Sequence, residues 1–168
     1  MPTSTNPVSV YDFRKGVPAT AWQVEDDTVM GGRSAGKLEM TESGHARFYG
    51  HVSLENDGGF SSIRHELKPP VDVSGLQRFV VRLKGDGSSY TLRVKSDPSN
   101  DYYHQATFPT TGEWEQQAVA FADMEAVHHG EPVDVPNFSA GRVVEVQFLI
   151  GNKQEQDFEV LIDRIAAE

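Results

Sequence analysis

The densest run of chemistry-bearing residues in the chain is Asp26-Asp27-Thr28-Val29-Met30-Gly31-Gly32-Arg33-Ser34, a few positions after Trp22. Its carboxylates and hydroxyls can accept backbone N–H bonds and close tight turns, while Gly31 and Gly32 admit positive φ. That chemistry makes the segment an ordered loop clamped across the fold. It also suits a ligand- or partner-facing loop on which Met30 presents an adaptable apolar contact and Ser34 a hydroxyl. Paired carboxylates further invite glycoside hydrolysis, which needs two acids about 5–10 Å apart across a scissile bond. Asp26 and Asp27 are chain neighbours and need not face one site, so this is the weakest of the three readings.

A second constellation is Asn56-Asp57-Gly58-Gly59-Phe60-Ser61-Ser62-Ile63-Arg64. Gly58-Gly59 has the composition of a tight turn, and an extended strand after it puts Phe60, Ser62 and Arg64 on one side. An arginine beside serine hydroxyls can hold a carboxylate or the hydroxyls of a sugar. An internal ion pair of Arg64 with Asp26, Asp27 or Asp86 explains the same residues, and both readings leave Arg64 partly buried. Its surroundings decide: one of those acids means a clamp, and an open pocket means a ligand site.

Other chemistry is sparse. The six histidines, with His128-His129 adjacent in a loop, show no metal-ligand spacing and read as solvated, and no Walker A, dinucleotide GxGxxG, Gly-x-Ser-x-Gly or His-Glu-x-x-His motif occurs. With no cysteine, thiol nucleophiles, thiolate zinc sites and iron–sulfur clusters are excluded. No cofactor is expected apart from a structural Ca²⁺. If the first and last strands are neighbours, Asp12 and Asp163 with backbone carbonyls supply oxygen ligands for it, and an arginine pairing with Asp163 is the simpler account.

The elements that must position these residues are strands. Period-two runs recur at 46–54, 60–67, 79–83, 90–94, 102–108, 114–121, 143–150 and 158–165, with turn residues between them. Gly85-Asp86-Gly87-Ser88 and Pro109-Thr110-Thr111-Gly112 read as hairpin turns. Residues 123–142, with Pro132 and Pro136, read as a loop crossing between sheets. This pattern predicts an all-β fold, an antiparallel β-sandwich or jelly roll, as a single domain over 1–168 with its core at about 10–166. Alternation points Phe79, Val81 and Leu83, then Tyr90, Leu92 and Val94, then Val144, Val146, Phe148 and Ile150 inward. Arg82, Arg93 and Gln147 then look outward and, if together, form a polar sheet face. Trp114 and Tyr90 are expected in ordinary packing.

The chain has 168 residues, 25 acidic and 15 basic, for a formal net charge of -10. That field opposes binding to a phosphate backbone, so nucleic acid is not an expected partner. The first residues have no apolar h-region and no stretch approaches the ~20 apolar residues of a membrane span. The expectation is a cytoplasmic protein that is not membrane-embedded.

Taken together, Trp22, the 26–34 block, Phe48, Gly50, Ser53-Leu54, the 56–64 block, Gly85-Asp86-Gly87, Tyr90, Phe108, Trp114, Phe121 and Ile150-Gly151-Asn152-Lys153-Gln154 before Phe158 resemble the family named for complex I intermediate-associated protein 30. The resemblance implies a galactose-binding-like jelly roll and no catalysis. It further implies a role like that of the mitochondrial assembly factors, which associate with intermediates of the respiratory NADH dehydrogenase. The reading is therefore a non-catalytic protein-binding domain, with membrane respiratory-complex subunits as partners. The rival is a carbohydrate-binding module of the same fold, in which Tyr90, Tyr102, Tyr103 and Trp114 are the aromatics available to a sugar, beside Arg82, Arg93 and Gln105.

Overall fold

The structure is a computed structural model and describes residues 7–15, 22–26, 35–54, 59–128, 131–139, 141–151 and 154–168. Among them, β-branched and aromatic residues in alternation with polar ones form thirteen strands and no α-helix. These are β1 (Val8–Asp12), β2 (Gln23–Asp26), β3 (Ala35–Met40), β4 (Ala46–Val52), β5 (Ser61–Asp72), β6 (Arg78–Lys84) and β7 (Ser89–Lys95). Then follow β8 (Tyr103–Pro109), β9 (Trp114–Ala120), β10 (Glu125–His128), β11 (Glu131–Pro132), β12 (Arg142–Ile150) and β13 (Gln156–Ala167).

They build two antiparallel sheets. One runs β3-β4-β13-β6-β9, with β1 also on β13; the other runs β11-β10-β8-β7-β12-β5-β2. The sandwich is the architecture the alternation predicts. Inward residues close the core between the sheets: Phe79, Val81 and Leu83 from β6, and Tyr90, Leu92 and Val94 from β7, are all 0 % exposed. Phe48 of β4 meets Phe148 of β12 across the sandwich at 6.4 Å, and Tyr90 stacks on Phe148 at 5.4 Å.

Several sequence expectations are corrected by this topology. Segments 85–88 and 109–112 are not hairpin turns, because β6 pairs with β13 and β9 while β7 pairs with β8 and β12. Each link carries the chain from one sheet to the other. Turn composition says that the chain reverses and is silent on which sheet receives the next strand. Within 123–142 the structure adds β10, paired to β8, and the short β11. On β12 a register shift between Val143 and Glu145 re-phases the strand, so Val143 enters the core and Val144 leaves it half-buried. Trp114 packs outside the core, half-buried against the His45 ring at 4.5 Å. His104 is buried and bonds through Nε2 to the Pro136 carbonyl, so it is not a solvated histidine.

Candidate binding face

Antiparallel register decides which side chains stand together, because residues directly opposite share a side of the sheet. On the sheet that ends in β2, Gln23 faces Arg64, Arg64 faces Gln147, Gln147 faces Arg93, Arg93 faces Gln105, and Gln105 faces Glu125. These residues alternate with core residues such as Ile63, Phe148 and Leu92, so they line the outer face. Five strands thus contribute one polar row between Gln23 and Gln105. Arg64 Nε donates to Gln23 Oε1 at 3.1 Å, and Arg93 Nε donates to Gln105 Oε1 at 2.7 Å. Gln147 Nε2 donates to Ser62 Oγ at 3.3 Å.

Rows on either side complete the face. Glu66 faces Glu145, which faces Lys95. The Tyr103 hydroxyl donates to Glu145 Oε2 at 2.6 Å, and Lys95 Nζ lies 4.6 Å from the Tyr103 ring centre. Burial, and then the neighbouring Glu145 carboxylate, push the Tyr103 hydroxyl up to about 12. Opposite lie Ser62, Leu149, Thr91 and Thr107, with the Thr91 and Thr107 hydroxyls 2.8 Å apart. Ser62, Thr91, Glu145 and Gln147 are all 8 % exposed or less, although they point away from the core. The middle of the face is recessed. At the end where β5 and β12 lose register, a cavity of about 450 Å³ opens between Arg64, Lys68, Lys95, Arg142, Val144 and Glu145.

Of the two blocks singled out in the sequence, Asp26 and residues 59–64 are described. β2 and β5 are paired with Asp26 opposite Ser61 and Gln23 opposite Arg64. Phe60 is half-buried at the start of that run. Asp27, Met30, Ser34 and Asn56 lie outside the described residues. Asp86 is not the partner of Arg64: it accepts the Tyr90 hydroxyl at 3.0 Å and the Glu159 N–H at 2.9 Å, in the 85–88 link. Arg64 also lines the cavity.

Arg82 does not join Arg93 and Gln105. It stands on the outer face of the opposite sheet, with Nε 3.3 Å from Asp163 and its guanidinium 5.3 Å from the Trp114 ring centre. The first and last strands are neighbours, with Asp12 facing Arg164. Arg14 binds Asp12 in a two-point ion pair at 2.9 Å and lies 3.7 Å from Asp163. The carboxylates considered above for Ca²⁺ thus have guanidinium partners. Among the described residues no group of three or more His, Asp or Glu stands ready for a metal.

Sequence reasoning places Glu145 in the outward set with Gln147, and misses Gln23 as part of this face. Gln23 is an ordinary polar residue on its own strand, and register alone brings it beside Arg64.

A family model described as complex I intermediate-associated protein 30 (CIA30) matches residues 11–162. The chain belongs to this family. Among curated relatives, this chain is similar to the mitochondrial complex I intermediate-associated protein 30 of Mus musculus, at 25 % identity over 93 % of this chain and 54 % of that protein. It therefore spans about half the length of that relative. Among solved structures it is similar to a family 11 carbohydrate-binding module from Clostridium thermocellum in complex with a β-1,3-1,4-mixed-linked tetrasaccharide. That match has a TM-score of 0.70 at 15 % identity and covers 98 % of this chain and 96 % of that one. The family 11 module of the cellulosomal cellulase Lic26A-Cel5E of the same organism matches with a TM-score of 0.71 at 14 % identity, covering 98 % and 95 %. At such identities these likenesses show that the CIA30 chain shares the fold of carbohydrate-binding modules.

Proposed function

We propose that this chain is a non-catalytic domain that binds another protein through the outer face of the β11-to-β2 sheet, in the manner of an assembly factor for a respiratory NADH dehydrogenase. The observation that carries this reading is the polar row itself, in which the β2–β5 pairing joins Gln23 and Arg64 to Gln147, Arg93 and Gln105. Family membership supports the same reading, and the partners it points to are subunits of a membrane respiratory complex.

Chemical cross-linking of the full chain in extracts of its source cells, followed by mass spectrometry, tests it. The expected result is recovery of respiratory-complex subunits with the wild-type chain and their loss with Arg64→Ala. Failure to recover any reproducible protein partner overturns the reading.

A second reading, a carbohydrate-binding module, is favoured by the alternation of amide and guanidinium groups along the row, since both kinds bond to hydroxyls. Three of the four aromatics argue against it. Tyr90 lies in the core, Trp114 is on the other sheet, and the Tyr103 ring carries Lys95 while its hydroxyl is held by Glu145; Tyr102 is half-buried and edge-on to His104. Sugar recognition rests on open aromatic faces. Calorimetric titration with a β-1,3-1,4-mixed-linked tetrasaccharide separates the two: saturable heat selects the sugar, and its absence removes it.

A further inference from the structure

Arg93 and Lys95 point outward from the same side of β7, two residues apart, which on an extended strand is about 6.7 Å. Arg47, Arg78 and Arg82 each have a carboxylate within 3.3 Å. Arg93 and Lys95 have none within 4.0 Å among the described residues. Arg93 has only the amide oxygen of Gln105, and Lys95 only the face of Tyr103. Acids outnumber bases 25 to 15, so the chain does not lack carboxylates to place here. A half-buried guanidinium is ordinarily paired, because a cation held away from water without an anion is costly.

Gln147 sits opposite Arg93 and is 6 % exposed, and its Oε1 has no hydrogen-bond partner. The same face therefore offers two cations and one buried acceptor, beside the Glu145 carboxylate, which faces Lys95 and holds the Tyr103 hydroxyl. A free anion would satisfy the cations and leave the acceptor empty. An extended peptide answers all three, because its alternate side chains repeat at about 6.7 Å and its main chain supplies N–H donors.

We propose that Arg93, Lys95 and Gln147 form a docking row for an extended acidic segment of the partner protein, with two alternate carboxylates on the cations and a main-chain N–H on Gln147 Oε1. The cavity that begins at Lys95 continues the row toward Lys68 and Arg142, which are paired with Glu66 at 3.2 Å and Asp97 at 3.9 Å. The chain's net charge of -10 does not cancel this local field, since solution ions screen charges beyond about 8–10 Å. This site rests on the protein-binding reading above and gives the partner a chemistry.

The probe is a dye-labelled heptapeptide of alternating glutamate and threonine, followed by fluorescence anisotropy with the full chain. At about 50 mM salt saturable binding is expected, weakening about tenfold at about 300 mM as screening grows. The glutamine version of the peptide should bind at least about tenfold more weakly, and Arg93→Gln and Lys95→Gln should each cost about fivefold. Lys95 has no described side-chain hydrogen bond or ion pair, so Lys95→Gln with an unchanged thermal melt keeps the test valid even where Arg93→Gln fails to fold. Absence of saturable binding, equal affinity for the glutamine peptide, or full binding by Lys95→Gln overturns the site. Binding of an oligogalacturonate with none of the peptide also overturns it, in favour of an acidic glycan. If Lys95→Gln still captures the wild-type protein partners in full, this row is wrong while the protein-binding reading stands.

Discussion

Asp163 and Tyr103 show how single ionisable groups are held by their surroundings. The Asp163 carboxylate is 5 % exposed and has Arg82 at 3.3 Å, His45 at 3.6 Å and Arg14 at 3.7 Å. Removing a buried partner of charged groups costs several kcal/mol when all are buried. Here both arginines are close to half exposed, so solvent meets much of the loss. Asp163→Asn should therefore lower stability by about 1–3 kcal/mol in urea denaturation, and an unchanged midpoint would show that these contacts are idle. Tyr103 makes the opposite kind of prediction. Its folded value of about 12 lies above the ordinary value of about 10. For a phenol this means that the fold favours the protonated form. The stabilisation is complete below pH about 10 and is lost as pH rises from there through about 12. Tyr90 is raised as well, by burial and then by Asp86, so it adds to the same alkaline loss. Denaturation midpoints at pH 9, 10 and 11 should fall in that order, and Tyr103→Phe should make the fall shallower. Equal slopes for wild type and Tyr103→Phe would contradict this account.

The links between strands show what local composition leaves unsaid. Alternation makes the period-two runs from 46 to 165 legible, together with the inward set of β6 and β7, because side chains of a half-buried strand must alternate. Partnership between strands is not legible: the same Gly- and Asp-rich turn serves a hairpin or a crossing between sheets. The outward turn of Arg93 and Gln147 follows from the same alternation, while their joining to Arg64 and Gln23 is hidden, and so is the phase of β12 at Val143 and Val144, before its irregularity. At the crossings, links 85–88 and 109–112 are bound to each other. Thr110 Oγ1 donates to the Ser88 carbonyl at 2.6 Å and accepts the Gly87 N–H at 3.2 Å. A Cβ on Gly85 would stand 2.2 Å from Thr110 Cβ, so the links would have to separate. Gly87 has φ +89° with nothing within 4 Å of an added Cβ, so a side chain there meets only backbone strain. Gly87→Ala should cost about 1–2 kcal/mol, and Gly85→Ala more, about 3 kcal/mol, as severe overpacking. The reverse order in thermal melts would mean that the two links are not held together as the hydrogen bonds imply.

At the scale of the whole molecule, the last strand holds one sheet together. β13 pairs with β6 along one edge, and with β4 and then β1 along the other. Its final residues include Ile165 and Ala167, both 0 % exposed, while Glu168 exchanges backbone bonds with Arg78 and accepts from Gln77. Ending the chain after Asp163 therefore removes every described partner of β1, four of the six residue pairs between β13 and β6, and two core side chains at once. The unpaired backbone groups of β6 would be left beside the apolar floor formed by Phe79 and Val81, where leaving a donor or acceptor unmet costs about 1–3 kcal/mol each. A handful of such losses exceeds the roughly 5–15 kcal/mol by which domains of this kind are stable. The truncated chain should show no cooperative thermal transition by circular dichroism and no dispersed amide spectrum, although more than nine-tenths of the sequence remains. Shortening the β10–β11 edge of the other sheet is the matched control. Among the described strands β11 pairs only with β10, and both its residues are exposed. Replacing Glu131 and Pro132 by glycines should leave a cooperative melt lowered by a few degrees at most. A truncated chain that still melts cooperatively would place the closure of the sandwich elsewhere than on β13.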